Sequence, residues 1–185
     1  MIDDLLVRLA KQILAKKICL VVSRHQDYNE VNTTLIKYLT LTLKLKGIYI
    51  ALNSRYVDTV QEIRALKIPA DSLCYIDAVT NQSGMEEDSR SCVYIQGPDS
   101  LTELSLAVHE LTKLMNAQFV FLDSVTTLLT YNTAETTERF MHYFLNKVRT
   151  SEMTGVVISL DEEKSNKLIP VLSQISDVVI DLTKD

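Results

Sequence analysis

Residues 18–34 read ICLVVSRHQDYNEVNTT, a six-residue run that is mostly apolar, followed by a polar loop and the start of a periodic segment. The apolar run is typical of a buried strand, and the segment after the loop predicts a helix over about 31–46 that begins near Asn32, Thr33 and Thr34. Gly47 is placed to end this helix. In many α/β proteins a first strand, a loop and a helix in this order form a cradle for phosphate groups.

A phosphate-binding loop has the pattern G-x-x-x-x-G-K-[ST], in which glycines let backbone N–H groups face the phosphates and lysine neutralises them. Residues 24–34 contain neither glycine nor lysine. In one register Asn32 replaces the lysine, and in another Glu30 does and would repel phosphate. We interpret the stretch as a plain strand-to-helix loop with Asn29 or Asn32 capping the helix, although Arg24 or Lys37 could still attract an anion there.

The bulk properties of the 185-residue chain are those of a globular protein, with 46% hydrophobic and 23% charged residues and a net charge of -5. The length fits one domain over 18–185, preceded by an amphipathic helix over 1–17. The absence of a basic block argues against nucleic acid as a partner. No apolar run approaches the ~18 residues of a membrane span, and the first residues do not form a signal peptide, so we expect a cytoplasmic protein without membrane contact.

The cysteines and histidines give no metal-binding spacing. Cys19, Cys74 and Cys92 lie far apart, each within or beside an apolar stretch, so we expect free buried thiols. The three histidines are scattered along the chain. We therefore expect no metal site and no cofactor.

Strands and helices alternate along the chain, and residues 80–91 between them predict an exposed loop. The strands are nearly continuous apolar runs, which is typical of strands covered on both faces. This pattern predicts an α/β three-layer sandwich with a mostly parallel central sheet. The predicted strands lie at 18–23, 48–52, 73–77, 92–95, 119–123, 156–160 and 178–182, and the later helices at about 56–67, 99–115, 133–149 and 163–174.

Two aspartates end predicted strands, where ligands of open α/β sheets bind. Asp123 ends the strand FVFLD, which has the form of a strand whose carboxylate orients Mg²⁺ in phosphate-transferring proteins. The alternative is an aspartate that caps a turn or helix. Asp77 ends another strand, and a different enzyme chemistry that uses both carboxylates is supported by position alone.

Several segments, in the same order, are similar to those of a known family: GIYIALNSRY, LCYIDAVT, FVFLDSVTTLLTYN and NKVRTSEMTGVVISL. From about residue 16 to 185 the chain resembles the RecA-like ATPase core of the KaiC type, and more narrowly the degenerate KaiC-like domain proteins of archaea. The resemblance implies a RecA/P-loop-NTPase-like fold in which Asp123 is the Walker B carboxylate.

Active ATPases of this family carry a glycine–lysine loop after the first strand and two catalytic glutamates after the second core strand. Asn53 and Ser54 stand at the glutamate positions here, and neither side chain acts as a general base at neutral pH. The resemblance therefore implies a pseudo-ATPase, not an enzyme, that serves as a scaffold, regulatory or signalling subunit through protein–protein interaction or self-association. The alternative is a sensor that binds a nucleotide without hydrolysing it, at a remnant site formed by Asn32, Thr33, Thr34 and Asp123.

Overall fold

The computed structural model describes residues 15–83 and 91–184. These two segments contain one seven-stranded sheet in which every pairing is parallel, with the strand order β4-β3-β2-β5-β6-β1-β7. The predicted parallel sheet is therefore confirmed. Its strands are β1 (Ile18–Ser23), β2 (Gly47–Ala51), β3 (Leu73–Asp77), β4 (Cys92–Tyr94), β5 (Phe119–Asp123), β6 (Thr154–Leu160) and β7 (Val178–Asp181).

Helices cover both faces of the sheet, as the three-layer prediction requires. The helices of the described segments are α1 (Tyr28–Lys37), α2 (Tyr56–Ala65), α3 (Leu101–Met115), α4 (Val125–Tyr131), α5 (Ala134–Thr150) and α6 (Leu168–Ile175). Helices α1 and α2 pack in one hydrophobic cluster, and the other four pack in a second cluster on the opposite face. Alternate residues of each strand enter the two clusters, which explains why the strands read as continuous apolar runs.

The start of α1 differs from the prediction. A short 3₁₀ turn, His25–Asp27, begins directly after β1, so α1 already starts at Tyr28. The predicted helix start at Asn32–Thr34 is therefore wrong, because these residues lie in the second turn. Asp27 occupies the N-cap position without a side-chain hydrogen bond, so the caps predicted at Asn29 and Asn32 are also absent.

Gly47 was predicted to end the first helix but instead begins β2. Helix α1 ends at Lys37 and is followed by a π-helical turn, Tyr38–Thr42. All helical structure in this segment therefore ends before Gly47. A Cβ atom on Gly47 would lie 2.3 Å from Cζ of Phe119 on the neighbouring strand. The glycine is therefore needed for the close approach of the Phe119 ring to the backbone of β2.

The predicted N-terminal helix over 1–17 and the predicted loop over 80–91 lie largely outside the described residues. Within those described, Thr80–Ser83 form a 3₁₀ turn. The three cysteines are free, and Cys19 is fully buried whereas Cys74 and Cys92 are half-buried. In the described part of the chain, no helix has the length and apolar character needed to cross a membrane.

Candidate functional site

Asp123 lies at the carboxyl end of the central strand β5, and only 4% of its surface is exposed. Both of its oxygens accept hydrogen bonds from tyrosines: the Tyr28 hydroxyl donates to Oδ1 and the Tyr49 hydroxyl donates to Oδ2. A hydrogen bond to a charged group contributes about 1.5–3 kcal/mol. The carboxylate is therefore held inside the protein by two neighbouring side chains.

The fold brings these three residues together from distant parts of the chain. Tyr28 is the first residue of α1, directly after the loop that follows β1. Tyr49 lies on β2, which pairs with β5 in a register that places it beside Phe121, two residues before Asp123. The rings of Tyr49 and Phe121 stack with centroids 5.3 Å apart, which fixes the direction of the Tyr49 hydroxyl.

Polar side chains around Tyr28 hold its hydroxyl in position. The Asn53 amide nitrogen donates to the Tyr28 hydroxyl oxygen at 3.1 Å, and the Thr127 hydroxyl donates to the Asn53 amide oxygen. Tyr28 belongs to α1 and Thr127 to α4, which lie on opposite faces of the sheet. Asn53, after β2, joins the two through its hydrogen bonds. Asn53, which stands at a catalytic-glutamate position in the family resemblance, serves here to position a tyrosine.

Burial controls the protonation of this cluster. It raises the pKa of Asp123, while hydrogen bonds from Tyr28, Tyr49 and Asn32 oppose the rise. Burial and the nearby Asp123 carboxylate also raise the pKa values of Tyr28 and Tyr49 well above the ordinary tyrosine value. The tyrosines therefore keep their protons and remain hydrogen-bond donors across the neutral range.

A cavity of about 490 Å³ opens beside Asp123, between α1 and α2. Three of the predicted remnant-site residues, Asn32, Thr33 and Asp123, line it, whereas Thr34 does not. Asn32 is 7% exposed, and its Oδ1 atom is buried without a hydrogen-bond partner. The structure thus brings three of the four predicted residues to one cavity. Asn32 and Thr33 reach it from the second turn of α1 and not from the amino terminus of that helix.

The loop after β1 makes its own contacts. Arg24 Nε lies 2.9 Å from Asp27 Oδ2, so at least one carboxylate already faces the arginine. His25 is largely exposed, with Nδ1 4.0 Å from Glu162 Oε1. Tyr28 and Asn53 also line a second cavity of about 470 Å³, which includes His25, Glu162 and Lys164. In the described part of the chain no cluster of histidine, cysteine, aspartate and glutamate could hold a metal ion.

Asp77, which ends β3, has a structural role. It is fully buried and accepts hydrogen bonds from the backbone N–H groups of Tyr56, Val79 and Thr80 at 2.6, 2.7 and 2.8 Å. The Thr80 hydroxyl donates to it at 2.5 Å. These contacts fasten the start of α2 and the turn after β3, and they occupy both carboxylate oxygens.

Sequence reasoning missed Tyr28 and Tyr49 as members of the site. Tyr28 lies in the polar loop that is interpreted from its lack of glycine and lysine, and Tyr49 lies in an apolar run that predicts a buried strand. A tyrosine within a buried strand needs a hydrogen-bond partner for its hydroxyl, so the sequence does indicate that Tyr49 contacts a polar group. Its partner could be named only once β2 was known to lie beside β5.

The parallel sheet, its strand order and the carboxylate at the end of β5 define an α/β protein with the RecA/KaiC-like fold. A solved structure of a KaiC-like protein from the hyperthermophilic archaeon Pyrococcus horikoshii superimposes with a TM-score of 0.63 and 12% identity, covering 90% of this chain and 71% of that one. The chain belongs to a family of unknown function, DUF7504, whose model matches residues 50–182. A search of curated proteins finds no match.

Proposed function

We propose that this chain is a non-catalytic RecA/KaiC-like domain that acts as a scaffold, regulatory or signalling subunit through protein–protein interaction. The observation that carries the proposal is the pair of hydrogen bonds from Tyr28 and Tyr49 to the two oxygens of Asp123. In the ATPases that the sequence resembles, the matching carboxylate orients Mg²⁺. Here both oxygens already have partners, and the side chain is buried.

The chemistry of Mg²⁺ supports this interpretation. The ion requires nearly octahedral oxygen ligands at about 2.0–2.1 Å and usually keeps several of its waters. An ion or its waters bound to Asp123 would compete with the Tyr28 and Tyr49 hydroxyls for the two carboxylate oxygens. The loop between β1 and α1 also lacks the glycines and the lysine that would hold the phosphates of the nucleotide.

The outer surface supports a role in protein–protein contact. Large apolar side chains are exposed on α3 and α5, where Leu106 is 57%, Leu114 75% and Tyr143 59% exposed. These two helices are neighbours, because residues of both line one small cavity. Exposed leucine and aromatic side chains on adjacent helices are suited to a protein partner, including a second copy of the chain.

An ATPase assay tests the absence of catalysis. Purified protein with Mg²⁺ and ATP should show no turnover above that of the Asp123→Ala variant. Turnover that is lost on Asp123→Ala would overturn the proposal, because it would show that the carboxylate serves catalysis.

Light scattering tests the interaction. The mass in solution should rise with protein concentration, and Leu114→Glu should reduce the rise. Gln61→Glu adds the same charge on α2 and should leave the association unchanged. A single monomer mass at all concentrations, with and without ATP, would rule out self-association.

A further inference from the structure

The cavity between α1 and α2 has the dimensions of a ligand site. Its volume of about 490 Å³ falls within the ~300–1,000 Å³ range of small-molecule pockets. The α1 side contributes Asn29, Asn32, Thr33 and Ile36, and the α2 side contributes Thr59, Glu62, Ile63, Ala65 and Leu66. Nothing in the proposed scaffold role uses this cavity.

The charge of the lining selects against phosphate. Among the described residues that line the cavity there is no lysine, arginine or histidine, whereas Glu62 and Asp123 are both carboxylic acids. Burial is the largest cause of the raised pKa of Asp123, and the negative charge of Glu62 adds to it. Glu62 therefore acts on the interior of the cavity, and an anionic group there would meet repulsion without a counter-charge.

The hydrogen-bonding groups of the lining suit a ligand with N–H donors. Asn29 offers an amide, which presents a donor and an acceptor side by side, whereas both ends of the Asn53 amide already bond to Tyr28 and Thr127. Asn32 is 93% buried, given its 7% exposure, and its Oδ1 atom has no partner in the protein. A buried acceptor without a partner is unfavourable, and a ligand N–H would satisfy it.

The remaining walls are apolar or aromatic. Ile36 of α1 and Ile63 of α2 are buried core residues that reach the cavity, and Tyr49 contributes an aromatic surface. A flat ring would bury its faces against such side chains while its edge met the amides. The combination matches an amino-substituted heterocycle better than a sugar phosphate or a fatty acid.

We propose that the cavity between α1 and α2 binds an amino-substituted heterocycle of nucleobase or nucleoside type and excludes its phosphorylated forms. This inference does not rest on the proposed function, because neither ATP turnover nor a protein partner enters it. The cavity includes Asn32, Thr33 and Asp123 of the nucleotide-sensor alternative, but the ligand differs, because the sensor would bind a phosphorylated nucleotide and this cavity excludes phosphate.

Thermal unfolding with adenine, adenosine, AMP and Mg²⁺–ATP tests the proposal, since a ligand of the folded state raises the melting temperature. Adenine or adenosine should raise it, and ATP should bind roughly tenfold or more weakly as measured by calorimetry. Absence of any shift with adenine and adenosine, or equal affinity for adenosine and ATP, would overturn the proposal.

Variants locate the binding. Ala65→Phe and Thr33→Leu add bulk from opposite walls and should each abolish the shift, whereas Gln61→Phe adds the same ring to α2 outside the cavity and should retain it. These two cavity-filling variants, Ala65→Phe and Thr33→Leu, are both used so that one remains informative if the other unfolds. Retained binding in a folded filling variant would place the ligand elsewhere and contradict the proposal.

Charge reversal at Glu62 tests the exclusion of phosphate. Glu62→Lys should raise the affinity for AMP toward that for adenosine. An unchanged ratio of the two affinities would contradict the electrostatic part of the proposal.

Discussion

The Tyr49 hydroxyl on β2 donates a hydrogen bond to Oδ2 of Asp123 at the end of the adjacent strand β5. The two side chains belong to strands that follow each other in the sheet but are far apart in the sequence. Tyr49 is 6% exposed and Asp123 is 4% exposed, so water does not replace this contact. The hydrogen bond therefore links the two strands through their side chains at the candidate site.

Removing the hydroxyl should destabilise the protein. We expect Tyr49→Phe to lower the free energy of unfolding by about 1.5–3 kcal/mol, because a buried carboxylate loses a hydrogen-bond donor. Urea denaturation measures the change. Tyr143→Phe, at a side chain that is 59% exposed, should leave the urea midpoint nearly unchanged. Equal stability of the two variants would mean that the Tyr49 hydrogen bond contributes little.

The same tyrosine should make stability depend on alkaline pH. The folded protein raises the pKa of Tyr49 well above 10.0, chiefly through burial. Above pH 10.0 the unfolded chain releases the proton while the folded state keeps it, so stability falls as pH rises. The wild type should lose up to about 1.4 kcal/mol per pH unit more than Tyr49→Phe. Parallel stability curves for the two proteins above that pH would contradict this expectation.

Gly47 should not tolerate a side chain. In Gly47→Ala the new Cβ would lie 2.3–2.4 Å from three atoms of the Phe119 ring, and we expect a loss of about 1–3 kcal/mol from overpacking. Chemical denaturation of the single and double variants provides the measurement. Adding Phe119→Leu should recover part of the loss, so that the double variant is more stable than additivity predicts. If the stability losses of the two single variants simply added in the double variant, the strain in Gly47→Ala would not come from contact with the Phe119 ring.

Asp77 should prove structural. Asp77→Asn replaces one acceptor oxygen by an NH₂ group that faces existing donors, and we expect a loss of about 1–3 kcal/mol of stability. The matched control is Asp71→Asn, because Asp71 is exposed and its ion pair is with exposed Lys46 at 3.0 Å. That control should leave the urea midpoint unchanged. If Asp77→Asn were equally harmless, the backbone contacts at the start of α2 would not depend on the charge.

The sequence predicted the strands better than the site. Strands β1, β3 and β5 begin and end where predicted, because each is an apolar run bounded by polar residues or a turn. The start of α1 was misplaced because the 3₁₀ turn after β1 leaves no distinct signal. Helix α4 was not predicted, since seven residues are too few to show a helical period.

The contacts within the site could not be predicted, because they depend on which segments of the chain become neighbours in the fold. Asp123 was identified from its place at the end of an apolar strand, and that position is confirmed. Its partners Tyr28 and Tyr49 could not be paired with it, because strand order decides which side chains meet. The cavity between α1 and α2 depends in the same way on the packing of both helices.

The position of β1 in the sheet has a consequence for the order of folding. β1 pairs on one side with β6 and on the other with β7, so that Ile18 lies opposite Gly155 and Cys19 opposite Val178. On the ribosome, β1 is made long before either neighbour exists. The sheet can therefore close only when the carboxyl-terminal third of the chain has been synthesised, and the apolar surface of β1 must stay protected until then.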